Sequence, residues 1–299
     1  MTKNKTTQQW YGLFPEEKLN AVCFPAGKHI SSATPIKQEV FKDITNTHIN
    51  IVYNIVNKYE WTNRIYHYFD LNAGPEPELD VCSALSFLEN IKESRKKQRY
   101  RYKSQPMEFK AVLIDKDDNR LKDLSNRIDK FLEIKVKDPK EKKVFNDSID
   151  IIRGNNEKIL KDYMALSRNM YGILYHDPFG EPSFDILKEF AKHYPRMDIV
   201  LNCNCGTIKR TKNSATCKNS KTLKEHIDEM SKDHIVCSNK LRTCWQWLMM
   251  IFTNWDKYPR GRYVNVISGT SEWDNIMFKA VHTNEEIRKW NIGQLNLFK

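Results

Sequence analysis

Three acids and an amide stand where apolar runs of this 299-residue sequence end: Asp70 in YHYFDLNAGPEPELD, Asp115 in VLIDKD, Asn155 in IIRGNN and Asp177 in YHDPFG. Each run reads as a strand, so each polar side chain falls at a strand's carboxyl end, the edge of a parallel sheet where ligands bind. Asp115, after the second strand, is placed to accept hydrogen bonds from both hydroxyls of a ribose. Asn155 is placed to meet the edge of an adenine ring. Ala73 and Gly74 make the small-residue turn after the first strand. One glycine, two prolines and two glutamates stand there, where a phosphate-cradling loop has more glycines. An acid after a strand also serves as a helix cap, and for Asp115 by itself that reading is as good. The series of four is what points to a nucleoside ligand.

A second group of residues suits a polyanion. KESRKKQRYRYK, residues 92–103, carries seven basic side chains, among them Lys96, Lys97, Arg99 and Arg101, interleaved with two tyrosines. Lys209 and Arg210 belong to a second basic run, GTIKRTKNSATCKNSK. Basic groups neutralise phosphates while aromatic rings stack on bases. The net charge of +11 agrees with a nucleic-acid partner, although a lysine-rich surface also serves solubility alone. The fold is expected to bring one or both runs beside the strand ends.

The elements that must position these residues follow from periodicity. Ile36, Val40, Phe41, Ile44, Ile51 and Ile55 recur at helical spacing after Thr34 and Pro35, a cap and a first-turn residue. From Ile65 onward the chain alternates: RIYHYFDL, MEFKAVLIDKD, SIDIIRGN, MYGILYHDP and MDIVLNCN read as strands, with helical stretches between them. This is an α/β pattern, a Rossmann-like and mostly parallel sheet with helices on both faces. The boundaries fall as an N-terminal extension with its amphipathic helix over 1–60, a main domain over 61–285 with a basic inserted loop near 204–222, and a tail over 286–299. In the last third TLKEHIDEMSK and RTCWQWLMMIFTNW read as helices, and GRYVNVIS and IMFKAVHT as two closing strands. EIKVKDPKEKK reads as an exposed linker.

Some classes are excluded. No apolar run approaches membrane-spanning length, and MTKNKTTQQW lacks the apolar stretch of a secretory signal. Seven scattered cysteines suit a reducing cytoplasm, the expected location. Cys203, Cys205, Cys217, Cys237 and Cys244 lack the paired spacing of a zinc site, and no metal is expected.

The ordered set FDLNAGP, LIDKD, IIRGNN and YHDPFG resembles the class I S-adenosylmethionine-dependent methyltransferases. More closely it resembles the three-Cys-motif partner family, often encoded by bacteria and their phages. The resemblance runs from PIKQEVFKDI to WQWLMMIFTNW and covers most of residues 35–285. It implies S-adenosylmethionine as cofactor, held by Asp70, Ala73, Gly74, Asp115 and Asn155, and a protein partner encoded nearby. Relatives have an AGPG turn; Glu76 stands in place of its last glycine and predicts weakened cofactor binding. DPFG resembles the motif of enzymes that methylate exocyclic amines of bases. It implies that Asp177 and the Pro178 carbonyl accept the amine's two N–H bonds and that Phe179 stacks on the base. Without that context, Asp177 is a helix cap and Phe179 a core residue. The reaction implied is methylation of DNA or RNA. The alternative is a degenerate methyltransferase fold that binds nucleic acid or a partner protein without turnover.

Overall fold

The computed structural model describes residues 34–61, 63–75, 82–166, 169–178, 180–213, 221–238, 247–255, 264–282 and 285–289. The five alternating units form as expected. Strands β1 (Ile65–Asp70), β2 (Glu108–Asp115), β3 (Ile149–Arg153), β4 (Tyr171–His176) and β5 (Met197–Asn204) pair in parallel. Between them run α2 (Ser83–Tyr100), α3 (Asp118–Lys135), α4 (Pro139–Ser148), α5 (Asn156–Leu166) and α6 (Phe184–His193). The eight-stranded sheet has the order β3-β2-β1-β4-β5-β7-β6-β8. That is the Rossmann-like, methyltransferase-type arrangement: the strand order reverses at β1 and β4, and the functional edge is the carboxyl end of β1–β5.

Helix α1 (Thr34–Lys58) packs on one face beside α2. It buries Val40, Phe41 and Ile44 as its spacing predicts, then Ile49, Val52, Tyr53 and Val56 in its second half. Ile51 and Ile55 are only half-buried, because the stripe shifts round the helix. Three buried polar groups fix α1 to the sheet. His48 Nδ1 lies 2.7 Å from the Tyr66 hydroxyl on β1, and its Nε2 lies 3.0 Å from Asp198 Oδ2 on β5.

Four expectations are corrected. Trp247–Thr253, read as helix, is β7, buried along its whole length and antiparallel between β5 and β6 (His234–Ser238). A continuous apolar run has no period that separates a two-sided buried strand from a buried helix. IMFKAVHT, read as strand, lies in helix α9 (Ser271–Val281). Thr270 caps it, and Trp273, Ile276, Met277 and Ala280 make its buried stripe. Among the described residues only β8 (Val264–Ile267) closes that side, antiparallel to β6. The inserted loop near 204–222 begins as helix α7 (Cys205–Asn213), and α8 (Leu223–Asp228) follows; residues 214–220 lie outside the described residues. The supposed linker is the end of α3 and the start of α4, capped by Asp138. There Glu141 is buried between Arg95 and Arg99, at 2.6 Å from each. No helix among the described residues is long and apolar enough to cross a membrane.

Candidate active site

The fold brings Asp70, Ala73, Gly74, Asp115, Asn155 and Asp177 to one edge of the sheet, as their spacing predicts. Each carboxylate there is already engaged by the chain itself. Asp70 is fully buried at the end of β1. Its Oδ2 accepts from the Tyr68 hydroxyl at 2.8 Å and the Ser83 hydroxyl at 2.5 Å, and its Oδ1 from the Asn72 N–H at 3.2 Å. Burial pushes its carboxyl up from 3.8 to about 6, against the opposing pull of those three donors.

A raised pKa means that the folded chain keeps a proton which the unfolded chain has released between pH 3.8 and about 6. Stability from this group is therefore present at low pH and lost as pH rises through that window. Asp70→Asn is expected to raise the unfolding free energy by ~1–3 kcal/mol at alkaline pH and to have little effect below pH ~4. Urea unfolding at both ends of the window checks this; an Asp70→Asn protein less stable than the parent at high pH would contradict it.

Asp115, at the end of β2, holds the turn after β1. Its Oδ2 accepts the Gly74 N–H at 3.0 Å and lies 3.3 Å from the Arg120 guanidinium of α3, while its Oδ1 accepts the Asp117 N–H at 2.9 Å. Arg120 also donates to the Gly74 carbonyl. A Cβ at Gly74 would stand 2.4 Å from Asp115 Oδ2 and 2.7 Å from Arg120 Cβ. Glycine is needed here for the approach of Asp115 and Arg120. Ala73 is buried, and its N–H donates to the Ile114 carbonyl at 3.0 Å. Asn155 is exposed and caps α5, its Oδ1 accepting the Lys158 N–H at 3.0 Å.

Asp177, just past β4, is half-buried. Its Oδ1 accepts from the Lys37 ammonium at 3.2 Å and from the Asn202 amide at 2.5 Å; its Oδ2 accepts from the Tyr175 hydroxyl at 3.4 Å. The carboxylate compels the Asn202 amide to turn its NH2 inward, so the buried Asn202 Oδ1 faces away and has no partner among the described residues. His176 points to the other face of the sheet, where its Nδ1 meets Asn72 at 2.9 Å. Burial pushes its pKa down to about 4, leaving a neutral ring. Pro178 lies beside Asp177 half-buried, and Phe179 and Glu76 lie outside the described residues.

Lys37, Tyr175, Asn202 and Arg120 were not foreseen in the sequence. Asn202 left one trace, an amide in the otherwise apolar IVLNC. Lys37 left none, since α1 and β4 are 140 residues apart at that contact. Lys96, Lys97, Arg99 and Arg101 are not beside this edge. They lie on the last turns of α2 and just beyond, next to the start of β2, at the opposite end of the sheet. The reason is connectivity: a helix after a parallel strand runs back toward the strands' amino ends. Lys209 lies on α7, where its ammonium donates to the Lys279 carbonyl at 2.6 Å, and Arg210 is on the same helix.

Asp115 is occupied by the Arg120 guanidinium, a long, part-exposed side chain in the first turn of α3. No family model and no curated protein matches this sequence. Solved structures similar to this chain include the fibrillarin/Nop5p complex, with a TM-score of 0.38 at 9% identity over 64% of this chain and 73% of the other. The C-terminal domain of precorrin-6Y C5,15-methyltransferase from Rhodobacter capsulatus gives 0.37 at 10% identity over 80% and 96%. Aeropyrum pernix fibrillarin, with natively bound S-adenosyl-L-methionine, gives 0.33 at 12% identity over 70% and 76%. A likeness this slight decides nothing about activity; the strand order and the side chains at the strand ends carry the argument.

Proposed function

We propose that this chain is an S-adenosylmethionine-dependent methyltransferase of the three-Cys-motif partner kind, acting on an exocyclic amine of a base in DNA or RNA. The observation that carries this reading is the Lys37 ammonium on Asp177. A carboxylate at the end of β4 that already gathers nitrogen donors from two elements is built to receive an amine. In this account Asp115 holds the ribose hydroxyls, the Gly74 turn lies along the ligand and Asn155 meets the adenine edge. Bound there, S-adenosylmethionine supplies an electrophilic methyl group on a sulfonium. The chain's own part is orientation and desolvation. Asp177 and the Pro178 carbonyl accept the two N–H bonds of the target amine, whose lone pair is otherwise delocalised into the ring. Phe179 stacks on the base. The Lys37 ammonium gives way to that amine.

A second reading has its own support. The Asp115–Arg120–Gly74 lock closes the ribose position, as a degenerate fold that binds nucleic acid or a protein partner without turnover would. Incubation with tritiated methyl donor and total DNA or total RNA separates the two. Incorporation into either is expected from the wild type; none on any substrate, with or without a partner protein encoded nearby, favours the non-catalytic reading.

A further inference from the structure

The amino-terminal end of the sheet carries a surface that the proposed reaction does not use. It lies about 20–25 Å from the candidate active site, the length of strands of six to eight residues at roughly 3.3 Å each. Two open clefts lie there. The larger, of about 530 Å³, is lined by Ile65, Arg95, Gln105, Pro106 and Glu108 among others. The smaller, of about 210 Å³, is lined by Trp61, Asn63, Asn169, Tyr171 and Arg196. The starts of β2 and β5 are three strand spacings apart, about 14 Å, a distance that two or three nucleotides bridge.

Aromatic rings and cations are paired along this edge. Tyr59, Tyr100 and Tyr102 are 61%, 71% and 54% exposed, three of the five large apolar side chains exposed among the described residues. Lys58 lies over the Tyr59 ring at 5.1 Å, Arg101 over Tyr102 at 5.8 Å and Arg196 over Trp61 at 4.7 Å. Helix α2 buries Ser94, Arg95 and Gln98, with Arg95 lining the larger cleft, which turns Lys96 and Lys97 to solvent. Lys103 follows, exposed, with a left-handed backbone of φ 50°. Acids at this end include Glu60, exposed between Tyr59 and Trp61, Glu108 and Asp147 in the larger cleft, Asp150, which pairs with Lys110, and Asp138 and Glu141, which Arg99 engages. Exposed rings beside Lys96, Lys97, Arg101 and Lys103, which have no ion pair among the described residues, suit a chain of phosphates with accessible base faces. A duplex hides those faces, and an acidic protein segment does not need the rings.

We infer that the amino-terminal end of the sheet is a docking platform for single-stranded nucleic acid, with Tyr100 and Tyr102 stacking on bases and Lys96, Lys97 and Arg101 holding phosphates. It shares with the proposed reaction only the class of partner, and its test needs neither cofactor nor turnover. The probe is a fluorescein-labelled mixed-sequence strand of about 20 nucleotides, as RNA, as DNA and annealed as duplex, followed by anisotropy at about 50 and 200 mM salt. Wild type is expected to bind the single strands more tightly than the duplex. The triple change Lys96→Glu, Lys97→Glu, Arg101→Glu is expected to weaken binding at least ~30-fold and to lower the log–log salt slope by about 2. Tyr100→Ala with Tyr102→Ala is expected to weaken it ~10-fold and leave the slope unchanged. An equal charge reversal at Lys122, Lys158 and Lys161, near the other end of the sheet, is the control. Equal weakening by that control, a preference for duplex, or no binding of single strands by the wild type would overturn the platform. Comparison of RNA with DNA identifies which strand it prefers.

Discussion

Asp177→Ala is expected to lower methyl transfer by ~10²–10⁴-fold, the range for a group that handles a proton or N–H at the reacting atom. It should leave affinity for the methyl donor nearly unchanged, because in the proposed reaction the carboxylate addresses the amine and not the donor. The geometry supports that division: Asp177 contacts Lys37, Tyr175 and Asn202, whereas Gly74, in the turn after β1, and Asp115, at the end of β2, form a separate hydrogen-bonded unit. The change also strands the Lys37 ammonium, so Asp177→Asn is the companion variant. It keeps shape and one acceptor oxygen but loses the charge. Melting temperatures of both variants guard against misfolding. A folded, donor-binding Asp177→Ala protein with wild-type incorporation would remove Asp177 from the mechanism.

The second large effect is on stability. His48, Tyr66 and Asp198 are 2%, 0% and 0% exposed, and His48 bridges the other two. Among the described residues Asp198 Oδ1 already lacks a partner. His48→Leu therefore leaves a buried carboxylate without a donor, a loss of ~3–5 kcal/mol. Asp198→Leu combined with His48→Leu removes the carboxylate as well, and the pair should recover part of the loss, with a coupling of about 1–3 kcal/mol. Urea unfolding of the two single variants and the double variant measures the coupling. Strict additivity would show that the bridge contributes nothing beyond its separate side chains.

The parallel half of the sheet was legible in the sequence because strand and helix periods alternate cleanly from Ile65 to Asn204, and turn residues separate them. The antiparallel half was not. Trp247–Thr253 is apolar at every position but its last and carries no period, while the stripe of α9 at Trp273, Ile276, Met277 and Ala280 lies in a run that also satisfies a strand. At the site, the strand-end acids were legible as positions and their partners were not. Arg120 reaches Gly74 across 46 residues and Lys37 reaches Asp177 across 140, contacts that only the docked helices create. His48 and Asp198 were not singled out in the sequence, since only the docking of α1 on the sheet brings them together. The basic run of α2 was legible as a charge cluster, but its place was set by the return direction of the helix.

In the proposed reaction the carboxyl ends of β1–β3 hold a nucleoside cofactor once Arg120 moves off Asp115. Calorimetric titration with S-adenosylmethionine, and with its demethylated product, tests it on the wild type and on Arg120→Gln. Saturable binding by the wild type is expected, tightened about tenfold, or ~1.4 kcal/mol, in the variant, because the guanidinium no longer competes for the carboxylate. No heat of binding from either protein at millimolar ligand would contradict it.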